Sequence, residues 1–256
     1  MLRGNDGEPR GRGAPGPRRT CYPWVETNQK GLPMPLTGED VASKDLVIFD
    51  FDGTLVDSMP GIIRTARSVM HRHGWTDEAL GDMRRIVGPP FPAAFTEVYG
   101  VDPEEAMRIT EEYRAVYQNL GRDGWPLFDG MRELLGDLRA AGRKVAIASF
   151  KRQFLLDRGI DINGVRDLFD LPLGKERDNG QTKAMIIGDV LERLGFSPDQ
   201  AVMVGDRRFD AEAAREAGLP CVGVTVGHTC EPQELVDAGC CALCDTVDDL
   251  RRVLLG

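Results

Sequence analysis

The stretch LVIFDFDGTLVDS, residues 46–58, places two aspartates directly after a run of apolar residues. Its first four residues, LVIF, have the length and composition of a buried strand. Asp50 and Asp52 follow them, just before the turn pair Gly53-Thr54. In open α/β sheets, ligands bind at the carboxyl ends of the strands. Because unpaired buried carboxylates are unfavourable, this pair indicates either a solvated acidic turn or a functional site.

The composition limits the class of protein. The chain has 256 residues, of which 41% are hydrophobic, enough for one domain or one domain with an insertion. Its formal net charge of −9 argues against nucleic acid or an anionic membrane as the main partner. Because no apolar run reaches membrane-spanning length and the first residues lack a signal-peptide apolar region, we expect a cytoplasmic protein.

The first part of the chain differs in composition from the rest. Residues 1–44 are rich in Gly, Pro and Arg and show no apolar periodicity. Such a segment cannot bury enough apolar surface to offset its loss of conformational entropy. We therefore predict a disordered tail over 1–44, with Met34 as an alternative start of the protein.

The rest of the chain divides into a helical section and an alternating one. Apolar residues at helical spacing predict helices between about 60 and 122, with no strand signal among them. Farther along, helices alternate with short apolar segments near 144–149, 168–173, 201–205, 222–226 and 240–244. Alternation of this kind predicts an α/β fold, with a Rossmann-like parallel sheet and helices on both faces. We assign residues 45–59 and 124–256 to this core domain and 60–123 to an inserted helical cap domain.

Three predicted strands end in polar side chains, namely Asp50, Ser149 and Asp206. Because parallel strands place their carboxyl ends at one edge of the sheet, these groups should converge. Asp210, on the first turn of the next helix, and Lys183, at the start of its own helix, can reach the same place. Clustered carboxylates repel one another, and a hard divalent cation such as Mg²⁺ relieves this repulsion.

These residues resemble the four motifs of the haloacid dehalogenase superfamily, in its helical-cap form. DFDGTLVDS is similar to the first motif and Ser149, in AIASFK, to the second. Lys183 matches the third motif, and GDRRFD, with Asp206 and Asp210, matches the fourth. The resemblance spans about 45–256. The sequence departs from the pattern at Phe150, where a small polar residue is common, and in the longer loop RDNGQT before the lysine.

The resemblance implies the mechanism of a phosphatase. Asp50 would attack phosphorus and form an aspartyl-phosphate, and Asp52 would act as general acid and then as general base. The phosphoryl group would be bound by Gly53, Thr54, Ser149, Phe150 and Lys183. Mg²⁺ would be held by Asp50, Asp206 and the backbone carbonyl of Asp52, with Asp210 either as a further ligand or as a residue that supports the ligands.

Within the superfamily, the residues favour some activities over others. Family dehalogenases lack an acid at the position of Asp52, and phosphonatases need a cap lysine, whereas no lysine occurs between Lys44 and Lys144. VGPPF and YRAVY look most like phosphoglycolate phosphatases and 5′-nucleotidase-like hydrolases. We therefore expect a small phosphorylated substrate, with segment 84–95 and the arginines Arg84, Arg85 and Arg114 as specificity elements, in a monomer or homodimer. A sugar phosphomutase resembling β-phosphoglucomutase and a catalytically silent binding protein are the alternatives.

Overall fold

A computed structural model describes residues 41–176 and 180–256. Within these residues, six parallel strands form one sheet in the order β3-β2-β1-β4-β5-β6. The strands are β1 Leu46–Phe49, β2 Lys144–Arg152, β3 Leu171–Lys175, β4 Ala201–Gly205, β5 Cys221–Val224 and β6 Ala242–Cys244. The strand order reverses beside β1, so the carboxyl end of β1 lies at the topological switch point where such sheets bind ligands. The predicted α/β fold is confirmed.

The sheet is covered on both faces. Side chains alternate along β1, so Val47 and Phe49 join one buried apolar cluster while Leu46 and Ile48 join the other. The helices are α1 Met59–Arg72, α2 Asp77–Leu80, α3 Ala93–Tyr99, α4 Pro103–Tyr117, α5 Met131–Ala140, α6 Gln153–Asn163, α7 Lys183–Leu194, α8 Arg208–Ala217, α9 Pro232–Ala238 and α10 Val247–Leu255. Because both faces of β1 are buried, its apolar residues form a continuous run rather than an alternating one. Within the described ranges, no helix is both long and apolar enough to cross a bilayer.

Helices α1 to α4 form the insertion between β1 and β2. The two chain connections to this insertion lie side by side: the N–H of Asp57 donates to the Pro126 carbonyl at 2.8 Å, and that of Phe128 donates to the Leu55 carbonyl at 3.1 Å. Val56 also forms an isolated bridge with Leu127. The insertion therefore joins the sheet through two adjacent connections.

The structure differs from the prediction at two places. Strand β2 continues to Arg152, beyond the predicted segment near 144–149, because a register shift between Ala148 and Arg152 lets the strand resume its pairing with β3. Of the predicted tail, residues 1–40 lie outside the described residues. Val41 is buried, and Arg143 donates hydrogen bonds to the Ala42 and Lys44 carbonyls, so the last residues of that segment pack against the core.

A histidine joins two helices of the insertion. His73 follows α1, and its ring nitrogens bond Glu105 and Glu112 of α4, the latter at 3.0 Å between Nε2 and Oε1. Burial alone would lower the pKa of His73, but the hydrogen bonds and charges of both glutamates raise that pKa above its usual value. The imidazolium therefore stabilises the insertion below the unfolded-state pKa, and this contribution is lost as the pH rises through the folded-state pKa.

We expect His73→Gln to destabilise the protein more at about pH 6 than at about pH 9, because the wild-type ring carries its charge only in the lower range. Solvent screens the carboxylates, so the expected difference in the free energy of unfolding is only about 1 kcal/mol. Chemical denaturation at both pH values measures it. His71→Gln, two residues earlier in the last turn of α1 and half exposed beside Asp77, is the matched control. An equal loss in the free energy of unfolding at the two pH values would contradict the prediction.

Candidate active site

A cleft lies between the carboxyl edge of the sheet and the helical insertion. Its volume is about 650 Å³, counting the part open to solvent. The core side is lined by Asp50, Asp52, Ser149, Phe150, Lys151, Arg152 and Leu155. The insertion side is lined by Ile62, Ile86, Val87, Gly88, Pro89, Pro90, Phe91, Tyr113, Arg114 and Tyr117. Of the three arginines predicted to set specificity, Arg114 lines the cleft, whereas Arg84 is exposed and pairs with Asp82 at 2.7 Å.

Three carboxylates meet at the carboxyl edge of the sheet, and one of them, Asp50, lines this cleft. Asp50 follows β1 and Asp206 follows the neighbouring strand β4, and the N–H of Asp50 donates to the Val204 carbonyl at 2.9 Å. Asp210 lies on the first turn of α8. Each of the three offers an oxygen within 4.8 Å of the others, and all three residues are buried. The sheet thus brings together the three acids in the way that the sequence predicts.

The turn after Asp52 holds Asp206 in place. Asp206 accepts hydrogen bonds from the hydroxyls of Thr54, at 2.8 Å, and Thr229, at 2.5 Å. Gly53 has φ +79°, and a Cβ on it would lie 2.3 Å from Asp206 Oδ2, so this position requires glycine. The Gly53 N–H donates to the Val56 carbonyl at 2.9 Å. Gly53 and Thr54 therefore support the acid cluster, and the phosphate contact expected of their turn stays a prediction.

Lys183 supplies the positive charge of the cluster. Its ammonium lies 2.8 Å from Asp50 Oδ2 and also donates to Asp210, whose other oxygen accepts the N–H of Arg207 at 3.0 Å. Burial would lower the pKa of Lys183, but the charges and hydrogen bonds of both aspartates raise it well above its usual value. The lysine is therefore a permanent cation between the predicted nucleophile and the α8 acid.

One lysine does not balance three carboxylates. Burial, with the charges of Asp210 and Asp50, raises the pKa of Asp206 to about 8. Burial also raises the pKa of Asp210, to about 6, although the Lys183 charge opposes the shift. Asp50 Oδ1 is buried and accepts no hydrogen bond from any residue that the structure describes. A divalent cation would satisfy this oxygen and relieve the repulsion, so the donor set fits a hard metal ion.

The second aspartate of the first motif lies outside this cluster. Both carboxylate oxygens of Asp52 bond Lys151 Nζ, at 2.8 and 2.9 Å. A predicted contact between Asp52 and the metal would therefore have to come from its backbone carbonyl. Sequence reasoning did not select Lys151, because the predicted strand segment ends at Ser149 and the observed strand extends beyond it.

The remaining predicted residues lie around the same cleft. Ser149 is buried at its edge, and its hydroxyl accepts the Lys151 N–H at 3.2 Å. The ring of Phe150 lies 5.5 Å from Lys183 Nζ and 5.3 Å from Lys175 Nζ. The aromatic side chain at this unusual motif position therefore covers two cations beside the acid cluster.

A further residue connects the core to the insertion. Arg207, the first arginine of GDRRFD, has a side chain that is only 11% exposed. Its guanidinium bonds Glu234 at 3.0 Å and also donates to the carbonyl of Val87, in the insertion. Packing against Gly88 explains the burial, since a Cβ on that glycine would lie 3.0 Å or less from the Arg207 side chain.

Comparisons with known proteins identify the family of this chain. A sequence profile described as haloacid dehalogenase-like hydrolase matches residues 47–224. The chain is 30% identical to a 5′-nucleotidase of Pseudomonas aeruginosa over 197 residues. This alignment covers 73% of this chain and 85% of that protein. It is 35% identical over 189 residues to the tyrosine-protein kinase PtkA of Mycobacterium tuberculosis, 73% of this chain and 64% of that protein. It is 29% identical over 202 residues to a phosphoglycolate phosphatase of Caulobacter vibrioides, 75% of this chain and 84% of that protein.

A solved structure shows the same architecture. The crystal structure of a predicted phosphatase from Clostridium acetobutylicum superposes with a TM-score of 0.78 at 30% identity, covering 83% of this chain and 98% of that one. The matched profile spans more than half of the chain and includes the acid cluster. The chain therefore belongs to the haloacid dehalogenase-like hydrolase family.

Proposed function

We propose that the protein is a Mg²⁺-dependent phosphatase that hydrolyses a small phosphorylated metabolite through an aspartyl-phosphate on Asp50. It would act in the cytoplasm as a monomer or homodimer. The observation that carries the proposal is the position of Asp50: it lies 2.8 Å from the buried Lys183 ammonium, and it lines the same cleft as Asp52 and Ser149. A carboxylate held beside a cation at a cleft wall can attack an electrophilic phosphorus.

The side chains support two successive displacements. In the first, an oxygen of Asp50 bonds to phosphorus, the ester P–O bond breaks, and Asp52 gives a proton to the departing oxygen. In the second, Asp52 takes a proton from water, which attacks the phosphorus and releases phosphate and Asp50. Lys183 neutralises charge beside Asp50, and the Ser149 hydroxyl can donate to a phosphoryl oxygen. Mg²⁺, held by Asp50, Asp206, Asp210 and the Asp52 carbonyl, would offset the charge of the phosphate.

The walls of the cleft favour a small anion with a modest organic part. Arg114 and Arg152 give its lining a basic character, and Phe91 and Tyr113 add aromatic surface at a ring-centroid distance of 4.9 Å from one another. The similarity to a phosphoglycolate phosphatase and a 5′-nucleotidase supports phosphoglycolate-like compounds or nucleoside 5′-monophosphates as substrates.

Release of inorganic phosphate tests the proposal. We expect turnover of p-nitrophenyl phosphate, and of at least one member of a panel containing 2-phosphoglycolate and nucleoside 5′-monophosphates, with Mg²⁺ and not with EDTA. Turnover unaffected by EDTA would contradict the metal assignment. Interconversion of sugar phosphates without phosphate release would indicate the mutase instead, and transfer to a tyrosine peptide would indicate a kinase.

We expect Mg²⁺ to raise the melting temperature of the wild-type protein, because an ion that binds the folded acid cluster stabilises the folded state. At about 100-fold excess over the dissociation constant, the stabilisation is about 2.7 kcal/mol. Differential scanning fluorimetry with and without Mg²⁺ measures the shift without relying on turnover. Asp206→Asn should remove most of the shift, while Asp199→Asn, on the surface before β4, should keep it. Equal shifts in both variants would place the ion elsewhere.

A further inference from the structure

Lys151 occupies an unusual position for a lysine. Strand β2 carries it to the edge of the cleft, two residues beyond Ser149, and its side chain is only 4% exposed. Burying an ammonium is unfavourable unless it is paired and hydrogen-bonded. The contacts of the Lys151 ammonium therefore indicate the role of this buried charge.

The three donors of the Lys151 ammonium meet three acceptors. Two are the carboxylate oxygens of Asp52, at 2.8 and 2.9 Å, and the third is the hydroxyl of Tyr117, at 3.4 Å. A lysine ammonium has three N–H groups and no more. With all three directed at protein atoms, Lys151 has none in this conformation for a substrate.

Aromatic rings hold the ammonium from the other sides. Its Nζ lies 4.8 Å from the ring centroid of Tyr117 and 5.6 Å from those of Phe51 and Trp125. All three rings are at least nine-tenths buried, and ring faces attract a cation. The lysine is thus fixed by packing, whereas Asp52, 18% exposed, is the partner that faces the cleft.

From this geometry we infer that Lys151 is a positioning residue, which holds both oxygens of Asp52 and so fixes the orientation in which Asp52 transfers protons. The inference rests on the proposed function and assigns Lys151 a part in it. Proton transfer depends on geometry at the level of a single hydrogen bond, so a freely rotating Asp52 would be a poor acid and base. A lysine that bound the substrate directly is the competing explanation, and the two make different kinetic predictions.

Two aryl phosphates of similar shape and charge separate these explanations. Phenyl phosphate has the poorer leaving group and depends more on protonation by Asp52 than p-nitrophenyl phosphate does. We expect Lys151→Met to raise the ratio of kcat/KM for p-nitrophenyl phosphate to that for phenyl phosphate by about tenfold or more. We expect kcat for phenyl phosphate to fall while KM changes little. The folded fraction of the variant cancels in the ratio, so partial unfolding does not produce this result.

Two further variants complete the experiment. Lys144→Met changes a lysine at the other end of the same strand, half exposed beside Asp170, and should leave the ratio unchanged. In an Asp52→Asn background, Lys151→Met should lower kcat/KM by less than about threefold, because a residue that acts through Asp52 has little left to position.

Each outcome decides the question. A raised ratio with non-additive variants supports the positioning role. A raised KM for both substrates at an unchanged ratio, or full additivity with Asp52→Asn, would overturn that role and indicate direct substrate binding. Absence of wild-type turnover on both aryl phosphates is a separate result, because it would reject the proposed function itself.

Discussion

Replacing Asp50 with asparagine is expected to abolish phosphatase activity, with a loss in kcat of about 10⁴-fold or more. The amide occupies the same space, but it is neutral and a far weaker nucleophile than the carboxylate that it replaces. The variant should fold, because the substitution removes one of three buried negative charges within 4.8 Å of one another and so reduces their mutual repulsion. The measurement is the steady-state rate with p-nitrophenyl phosphate at saturating Mg²⁺.

The control for this variant is Asp45→Asn, an exposed aspartate immediately before β1, which should retain wild-type activity. Mass spectrometry of acid-quenched wild-type protein should locate a phosphorylated peptide containing residue 50, and the variant should lack it. Activity of Asp50→Asn within tenfold of the wild-type protein would show that another group attacks phosphorus.

Replacing Lys183 with methionine is expected to remove activity and to destabilise the fold by about 3–5 kcal/mol. The ammonium is 3% exposed and pairs with two buried carboxylates, Asp50 and Asp210. Without it, three acids share a buried site in which Asp50 has no other ion-pair partner among residues 41–176 and 180–256. Urea denaturation in the presence of EDTA measures the loss, and Mg²⁺ should restore part of it.

A double variant tests the cause of that destabilisation. If the uncompensated charge is responsible, Lys183→Met/Asp210→Asn should be more stable than Lys183→Met alone, because removing both partners leaves less unpaired charge. Lys144→Met, at an exposed lysine, should cost less than about 1 kcal/mol. A double variant less stable than the single one would assign the effect to packing instead.

The sequence was sufficient to predict the sheet and its acid cluster for a physical reason. Parallel strands have a fixed geometry, so the residues after β1 and β4 meet wherever the strands pair, and Asp50 and Asp206 do so. Lys183 was predicted to join the cluster because it lies at the start of a helix, and that helix begins at the same edge of the sheet.

The contacts that were not predicted depend on irregular backbone. The register shift in β2 extends the strand through Lys151, and no apolar pattern marks such a shift. Arginines are usually exposed, whereas the burial of Arg207 comes from a turn 120 residues away in the chain that packs against its side chain. Long-range contacts between a loop and a side chain leave no local periodicity to read.

The close approach at Gly53 limits how this protein can change by mutation. Any other residue there adds a Cβ 2.3 Å from a carboxylate oxygen of Asp206 and 2.7 Å from the Thr229 side chain, on a backbone with positive φ. Every amino-acid change that a point mutation can make in a glycine codon therefore introduces a clash with the acid cluster. We therefore expect no single amino-acid substitution at residue 53 to be neutral, because each of them would displace Asp206 or Thr229.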